Sequence, residues 1–279
     1  LGIIGESCGY FDGTGDYLNI PTSTDFAFGT GDFTIEFWIN KSSAQPGAAS
    51  RGILSINLYS AIGIALMDTG TSTIIYSDSG VVLTGALLPA DVWTHVAIVG
   101  VSNDVKMYFD GVQTGSTWST AGDLTVSANG VYVMTREDGL GSSDEAGYIE
   151  DLRIVKGTAV YTANFNPPTT ALTAITNTKL LLHFDGGEGS VSFDDDSASD
   201  HTVTANGNAI QVIGHGADAV ADVKTENTQK KFGTTSAYFD GTGDYIEFSD
   251  SVDWDIVANT EDATVDFWVK HDDHVGTEV

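Results

Sequence analysis

Asp185, Glu188, Asp194, Asp195, Asp196 and Asp200 crowd one stretch of the chain, and Glu137, Asp138, Asp144 and Glu145 crowd another that leads to Glu150 and Asp151. Carboxylates at this density suit a hard cation. Ca2+ takes roughly six to eight oxygens, several from Asp and Glu and the rest from carbonyls and water. Neither stretch has the glycine placement of an EF-hand, and solvated acidic loops explain the same pattern, so calcium and plain solubility stand side by side. Glycoside hydrolysis asks for something narrower: a retaining enzyme needs two carboxyls on one face about 5 Å apart. Glu150 and Asp151 are adjacent, so a regular strand points them to opposite faces. Asp253-Trp254-Asp255 puts two acids on one face but has no third. Cys8 shares no motif with a histidine, so nucleophilic chemistry lacks its base. The chain reads as no enzyme.

Sugar binding needs an aromatic face for CH–π stacking with amide or carboxylate hydrogen-bonders beside it. Trp118, in the polar run Gly115-Ser116-Thr117-Trp118-Ser119, is the best placed, with Tyr132 and Tyr148 as its expected neighbours. Trp38, Trp93 and Trp268 lie inside strand motifs and read as core or sheet-face residues. His95 and His183 sit in apolar strands and read as core histidines. His271 and His274, beside Asp272 and Asp273, look like a metal cluster, but an exposed turn explains them as well.

The elements that must position these residues are strands. Phe33, Ile35, Phe37 and Ile39 alternate with Thr34, Glu36, Trp38 and Asn40, and Val105, Met107 and Phe109 alternate with Lys106, Tyr108 and Asp110. A period of two predicts strands with one face to a core and one outward. Val131 and Val133 flank Tyr132, and Ile149, Leu152 and Ile154 bracket a further strand. Asp110-Gly111 fits a tight hairpin, where positive φ is required, and Asp12-Gly13-Thr14-Gly15-Asp16 fits a longer glycine-based turn. Beyond a single turn near Ala86–Asp91 nothing competes as helix. Many short strands with Gly-rich turns predict an all-β, antiparallel sandwich.

Tyr10-Phe11-Asp12-Gly13-Thr14-Gly15-Asp16-Tyr17 recurs letter for letter at Tyr238 to Tyr245, and Thr34-Ile35-Glu36-Phe37-Trp38-Ile39 has its counterpart in Thr264-Val265-Asp266-Phe267-Trp268-Val269. Repeats this long and this evenly spaced predict tandem modules. Asn166-Pro167-Pro168-Thr169-Thr170 ends a ladder, because paired prolines remove backbone donors. A new strand opens at Leu180-Leu181-Leu182-His183-Phe184. The expected division is therefore a first module at 1–173, lacking its first strand, and a second at 177–279, lacking its C-terminal side. With no initiating Met, the chain reads as a piece of a longer polypeptide. An open sheet edge at the missing strand is an aggregation hazard, and strand donation between chains is one way to close it.

The formal charge of −28 excludes nucleic acid and anionic membrane surfaces, which call for cationic patches. One cysteine allows no intrachain disulfide, and no apolar run approaches the roughly 20 residues of a membrane span, so no membrane insertion is expected.

Taken in order, Phe232-Gly233, Tyr238-Phe239-Asp240-Gly241 and Asp244-Tyr245, then Phe37-Trp38-Ile39, Trp93-Thr94-His95-Val96-Ala97, Met107-Tyr108-Phe109-Asp110-Gly111 and Gly147-Tyr148-Ile149-Glu150-Asp151-Leu152-Arg153-Ile154 carry a resemblance. The sequence resembles the laminin G-like, concanavalin A-like lectin/glucanase superfamily. The run from Glu150 to Pro168 looks like the module ending of bacteriophage structural and tail-fibre proteins. The resemblance implies a concanavalin A-like jelly roll used for binding or display. It also implies a structural Ca2+ held by Asp151 together with Asp185, Asp194 and Asp196. The glucanase acid cluster of that superfamily, Glu-x-Asp-x-Glu or Glu-x-Asp-x-x-Glu on one strand, is absent. The implied protein is a non-catalytic adhesion or decoration component, extracellular or on a virion surface. Its implied partners are a glycan or cell-surface polysaccharide, further copies of itself, or other virion or appendage proteins. Two alternatives remain: an assembly protein without a sugar ligand, and an ancillary module of a polysaccharide-degrading enzyme.

Overall fold

The computed structural model describes residues 4, 7–44, 50–56, 63–77, 80–119, 124, 130–136, 143–213, 224–226, 236–238, 267 and 269. In chain order the strands are β1 (Ser7–Asp12), β2 (Tyr17–Ile20), β3 (Phe33–Lys41), β4 (Arg51–Ile56), β5 (Ile64–Asp68) and β6 (Thr73–Ser77). They continue as β7 (Gly80–Gly85), β8 (Thr94–Val101), β9 (Asp104–Phe109), β10 (Val112–Ser119), β11 (Val131–Val133) and β12 (Ala146–Lys156). The last are β13 (Thr178–Leu182), β14 (Thr204–Asn206), β15 (Ile210–Ile213), β16 (Lys224–Glu226) and β17 (Ser236–Tyr238). Residues Leu1–Ala217 form one compact unit and Asp218–Val279 another.

The first unit is the expected antiparallel sandwich. Sheet A runs β10-β9-β8-β3-β12-β1-β15, with β13 also on β12, and sheet B runs β14-β2-β11-β4-β5-β6-β7. Alternation sends Ile35, Phe37 and Ile39 of β3 and Leu18 and Ile20 of β2 into the shared core, where all five are fully buried. A fully buried side chain of this kind contributes about 1.5–3 kcal/mol. The repeated motif is the connection between the sheets. It leaves β1 in sheet A, turns through Gly13 and Gly15 at φ 79° and 82°, and enters β2 in sheet B. Asp16 is fully buried and holds the turn, accepting from the N–H of Asp12 (2.9 Å) and of Asn208 (2.7 Å). Asp110 and Gly111 both take positive φ, as the hairpin between β9 and β10 demands.

Two features depart from the sequence reading. First, β3 is buried along its whole length, on both faces. Residues 157–177 form a strap on sheet A's outer face, where Ala159, Tyr161 and Phe165 pack on Ala97, Val99 and Tyr108. The strap approaches so closely that a Cβ on Gly111 would stand 1.8 Å from the Phe165 carbonyl oxygen. Strict alternation marks two faces, not whether the second is wet.

Second, the division at 173–177 is not where the compact unit ends. Residues 178–213 complete the first sandwich. β13 pairs with the C-terminal half of β12, β15 with β1, and β14 with β2. Leu180, Leu182, Phe184, Phe193 and Ala209 join the main core. The strand read as the opening of a second module thus occupies the edge that the first module seemed to leave open. Asp195 shapes this segment, accepting from the N–H groups of Leu181, Ser197 and His201. In the second unit the described backbone pairs β16 antiparallel with β17, whose last residue, Tyr238, opens the second motif copy. Trp268, the Asp253–Asp255 pair, His271 and His274 lie outside the described residues, as do Glu137 and Asp138.

Candidate functional site

The three aromatic residues expected to share a site occupy three places. Trp118 lies on β10 opposite Val105, at the far edge of sheet A, half-buried against the main core. Tyr148 lies on the outer face of sheet A beside Tyr10, their ring centroids 5.2 Å apart. Tyr132 lies on the outer face of sheet B beside Tyr17, centroids 6.1 Å apart and rings inclined by 34°. They are therefore not neighbours. β10 and β12 are separated by three strands, and β11 is in the other sheet.

The sheet B pair has the surroundings a sugar requires. Leu18, Ile20, Val131 and Val133 point into the core, so Tyr17, Asn19 and Tyr132 point away from it. Tyr132 stands directly opposite Asn19. On the other side of β2, Thr204 faces Asn19 and Asn206 faces Tyr17. Tyr17, Asn19, Tyr132 and Asn206 are half-buried and Thr204 is exposed. The result is a pair of ring faces bordered by two amides and a hydroxyl. Rings offer stacking surface at low entropy cost, while amides both donate and accept, matching a hydroxyl-rich ligand. Asn19, Thr204 and Asn206 were not singled out from the sequence. Thr204 and Asn206 come from the segment that closes the sandwich, so only the pairing of β14 with β2 reveals them.

The acids expected to hold calcium are otherwise engaged or apart. Asp151 sits at a bulge of β12 with φ 57°, accepting from the N–H of Leu172 (2.6 Å) and bonding His183 Nδ1 (2.7 Å) through its other oxygen. Asp185, Asp194 and Asp196 are exposed. Among the described residues no three His, Cys, Asp or Glu gather into a group able to hold a metal ion. In this arrangement the set does not gather into a calcium site, and the group beside Asp151 is the imidazole ring of His183. The Asp151 hydrogen bond raises the His183 pKa above its ordinary 6.5. Partial burial opposes this, and the charges of Asp151, Asp196 and Asp185 add to the rise. His183 is therefore no simple core histidine: it clasps the closing segment to β12.

A buried polar knot escaped the sequence reading altogether. Glu36, with no exposed surface, accepts from Arg153 Nε (3.0 Å) and Nη2 (2.6 Å) through one oxygen and from the Tyr161 hydroxyl (2.7 Å) through the other. His95 Nε2 lies 3.4 Å from that second oxygen, an ion-pair distance without hydrogen-bond alignment. Burial alone raises the Glu36 pKa, but His95, Arg153 and Tyr161 outweigh it and hold the carboxyl below its usual range. Burial and the Glu36 charge in turn push the Tyr161 phenol up. Both Glu36 oxygens are committed and the strap covers them, so the knot anchors residues 157–177 rather than offering an acid to substrate. Glu36 had looked like one more outward polar position in an alternating strand.

The amino-acid sequence matches the family model of the concanavalin A-like lectin/glucanase superfamily, laminin G type, over residues 12–160, more than half of the chain. The chain belongs to that superfamily. A crystal structure from Bacteroides ovatus, described provisionally as a carbohydrate-binding protein, is similar in fold: TM-score 0.58 at 18% identity, over 76% of this chain and 61% of that one. This chain thus spans less than two thirds of that protein. Mouse laminin α1 domains LG4-5 (14% identity, TM-score 0.40, 61% and 48% covered) also align. So does a sialidase-derived module from Ruminococcus gnavus bound to sialyllactose (11% identity, TM-score 0.41, 57% and 94% covered). No curated protein matches the sequence. No helix among the described residues is long and apolar enough to cross a membrane.

Proposed function

We propose that this chain is a non-catalytic carbohydrate-binding module that holds a glycan on the outer face of sheet B, serving recognition or decoration at an extracellular or virion surface. The observation that carries the reading is the Tyr17–Tyr132 pair bordered by Asn19, Thr204 and Asn206. Membership of a lectin-type superfamily and the fold shared with the Bacteroides ovatus protein support it. Glu36, buried with both oxygens bonded beneath the strap, is not presented to a substrate, which supports a role without bond cleavage. An ancillary module of a polysaccharide-degrading enzyme uses such a face in the same way. The test is affinity electrophoresis or calorimetry against a panel of polysaccharides. Tyr17→Ala and Tyr132→Ala should each weaken binding tenfold or more, about 1.4 kcal/mol, while Trp118→Ala should leave it unchanged. If Trp118→Ala abolishes binding and the tyrosine variants do not, the site is on β10 instead.

A further inference from the structure

We infer that the glycan held on the Tyr17–Tyr132 face is uncharged, and that uronate-, sialate- and sulfate-bearing chains are rejected. This rests on the carbohydrate reading above and adds the chemical class of the ligand. Acidic sugars are recognised through an exposed guanidinium or ammonium, bidentate where the carboxylate or sulfate is planar enough to meet the fork of Arg. The unit that carries the tyrosines has no fully exposed Lys or Arg. Of the 11 Lys and Arg residues, Lys224, Lys230, Lys231 and Lys270 lie beyond Ala217, which leaves seven in this unit.

Each of the seven is buried or half-buried. Lys41 is buried in an ion pair with Asp68, and Arg153 is buried against Glu36. Lys179 pairs with Asp25 at 3.1 Å, and Lys156 Nζ donates to the Thr24 carbonyl at 2.7 Å. Arg51 keeps only 8% of its surface, and Arg136 is half-buried. Lys106 belongs to β9 in the opposite sheet.

The same unit holds 24 of the 39 acidic residues, since 15 follow Ala217. Asp185, Glu188, Asp194, Asp196 and Asp200 are exposed on the closing segment that also supplies Thr204 and Asn206. At physiological salt such charges act over about 8 Å, and further in dilute buffer. An anionic chain would meet repulsion without any compensating contact. Tyr–amide faces carry no such penalty for a neutral polyol.

The experiment is calorimetric titration of the chain with neutral oligosaccharides from xylan, arabinan, mannan and β-glucan. A parallel acidic set from alginate, polygalacturonate and sialyllactose is titrated at about 20 and about 300 mM NaCl, each with EDTA and with Ca2+. The expected result is binding by at least one neutral ligand, weakened by Tyr17→Ala, with a dissociation constant that changes less than about twofold between the two salts. No acidic ligand should bind. Binding of an acidic ligand that weakens as salt rises, or that appears only with Ca2+, overturns the inference while leaving the carbohydrate reading intact. If neither set binds, the carbohydrate reading itself falls and the inference with it.

Discussion

Tyr10 and Tyr17 stand at the two ends of one eight-residue motif and meet different fates. Tyr10 remains in sheet A, where it pairs with Tyr148 and packs with it on a cluster of Cys8, Trp38, Trp93 and Val212, each buried. Burial drives the Cys8 thiol pKa up, as expected in so apolar a setting. Tyr17 crosses to sheet B, where it pairs with Tyr132 among amides. Two aromatic pairs of similar spacing thus have different surroundings, and the surroundings decide the role. The sheet A pair extends an apolar cluster on a face whose other half is strapped down. The sheet B pair has hydrogen-bonding neighbours and no strap among the described residues. A pair of rings alone does not mark a binding site.

The contrast can be broken most forcefully at the strap. Arg153→Ala leaves Glu36 charged, buried and without its main partner, a change that costs about 3–5 kcal/mol. Urea denaturation should show that loss, whereas Tyr17→Ala should cost about 1 kcal/mol or less. Equal losses for the two variants would mean that both faces are structural.

A smaller effect should come through His183, which ties down the segment that delivers Thr204 and Asn206 to the tyrosines. Its native pKa is raised by Asp151, with Asp185 and Asp196 contributing, so the folded state holds the proton more tightly than the unfolded one. That stabilisation is complete below pH 6.5, the ordinary value, and is lost as pH rises through the higher native value. The melting midpoint should therefore fall across this interval in the unmodified protein and stay flatter in His183→Gln. A profile identical in both would remove His183 from the clasp.

The smallest expected effect is that of EGTA, which should leave the melting midpoint unchanged, because Asp151 is committed to Leu172 and His183. A clear rise with Ca2+ would show instead that the acids regroup around a metal.

Much of this was legible in the residues. The alternation of Phe33 to Asn40 and the turn at Asp110-Gly111 carry their own conformational instructions. Between Ile149 and Leu152, both inward, the regular strand expected from the sequence is broken by a bulge at which Asp151 adopts positive φ. The site was less legible. Tyr132 and Tyr148 were visible as aromatic strand positions, but their true partners, Tyr17 and Tyr10, lie more than a hundred residues away. Trp118 looked exposed because its neighbours in sequence are polar, yet across the strand it leans on the main core.

The sequence by itself determined several of the strands, the glycine turns, the two-sheet class and the repeated motif, since these depend on side-chain periodicity and on backbone preferences that act over a few residues. Only the tertiary structure decided which face of sheet A is covered, which tyrosines meet, and that residues 178–213 close the first sandwich. The physical reason is that a strand's hydrogen-bonding edge is nearly indifferent to its partner's identity, and longer loops add little to the cost of closure. Periodicity says which side of a strand is apolar; the pairing chosen among distant strands says what that side will touch.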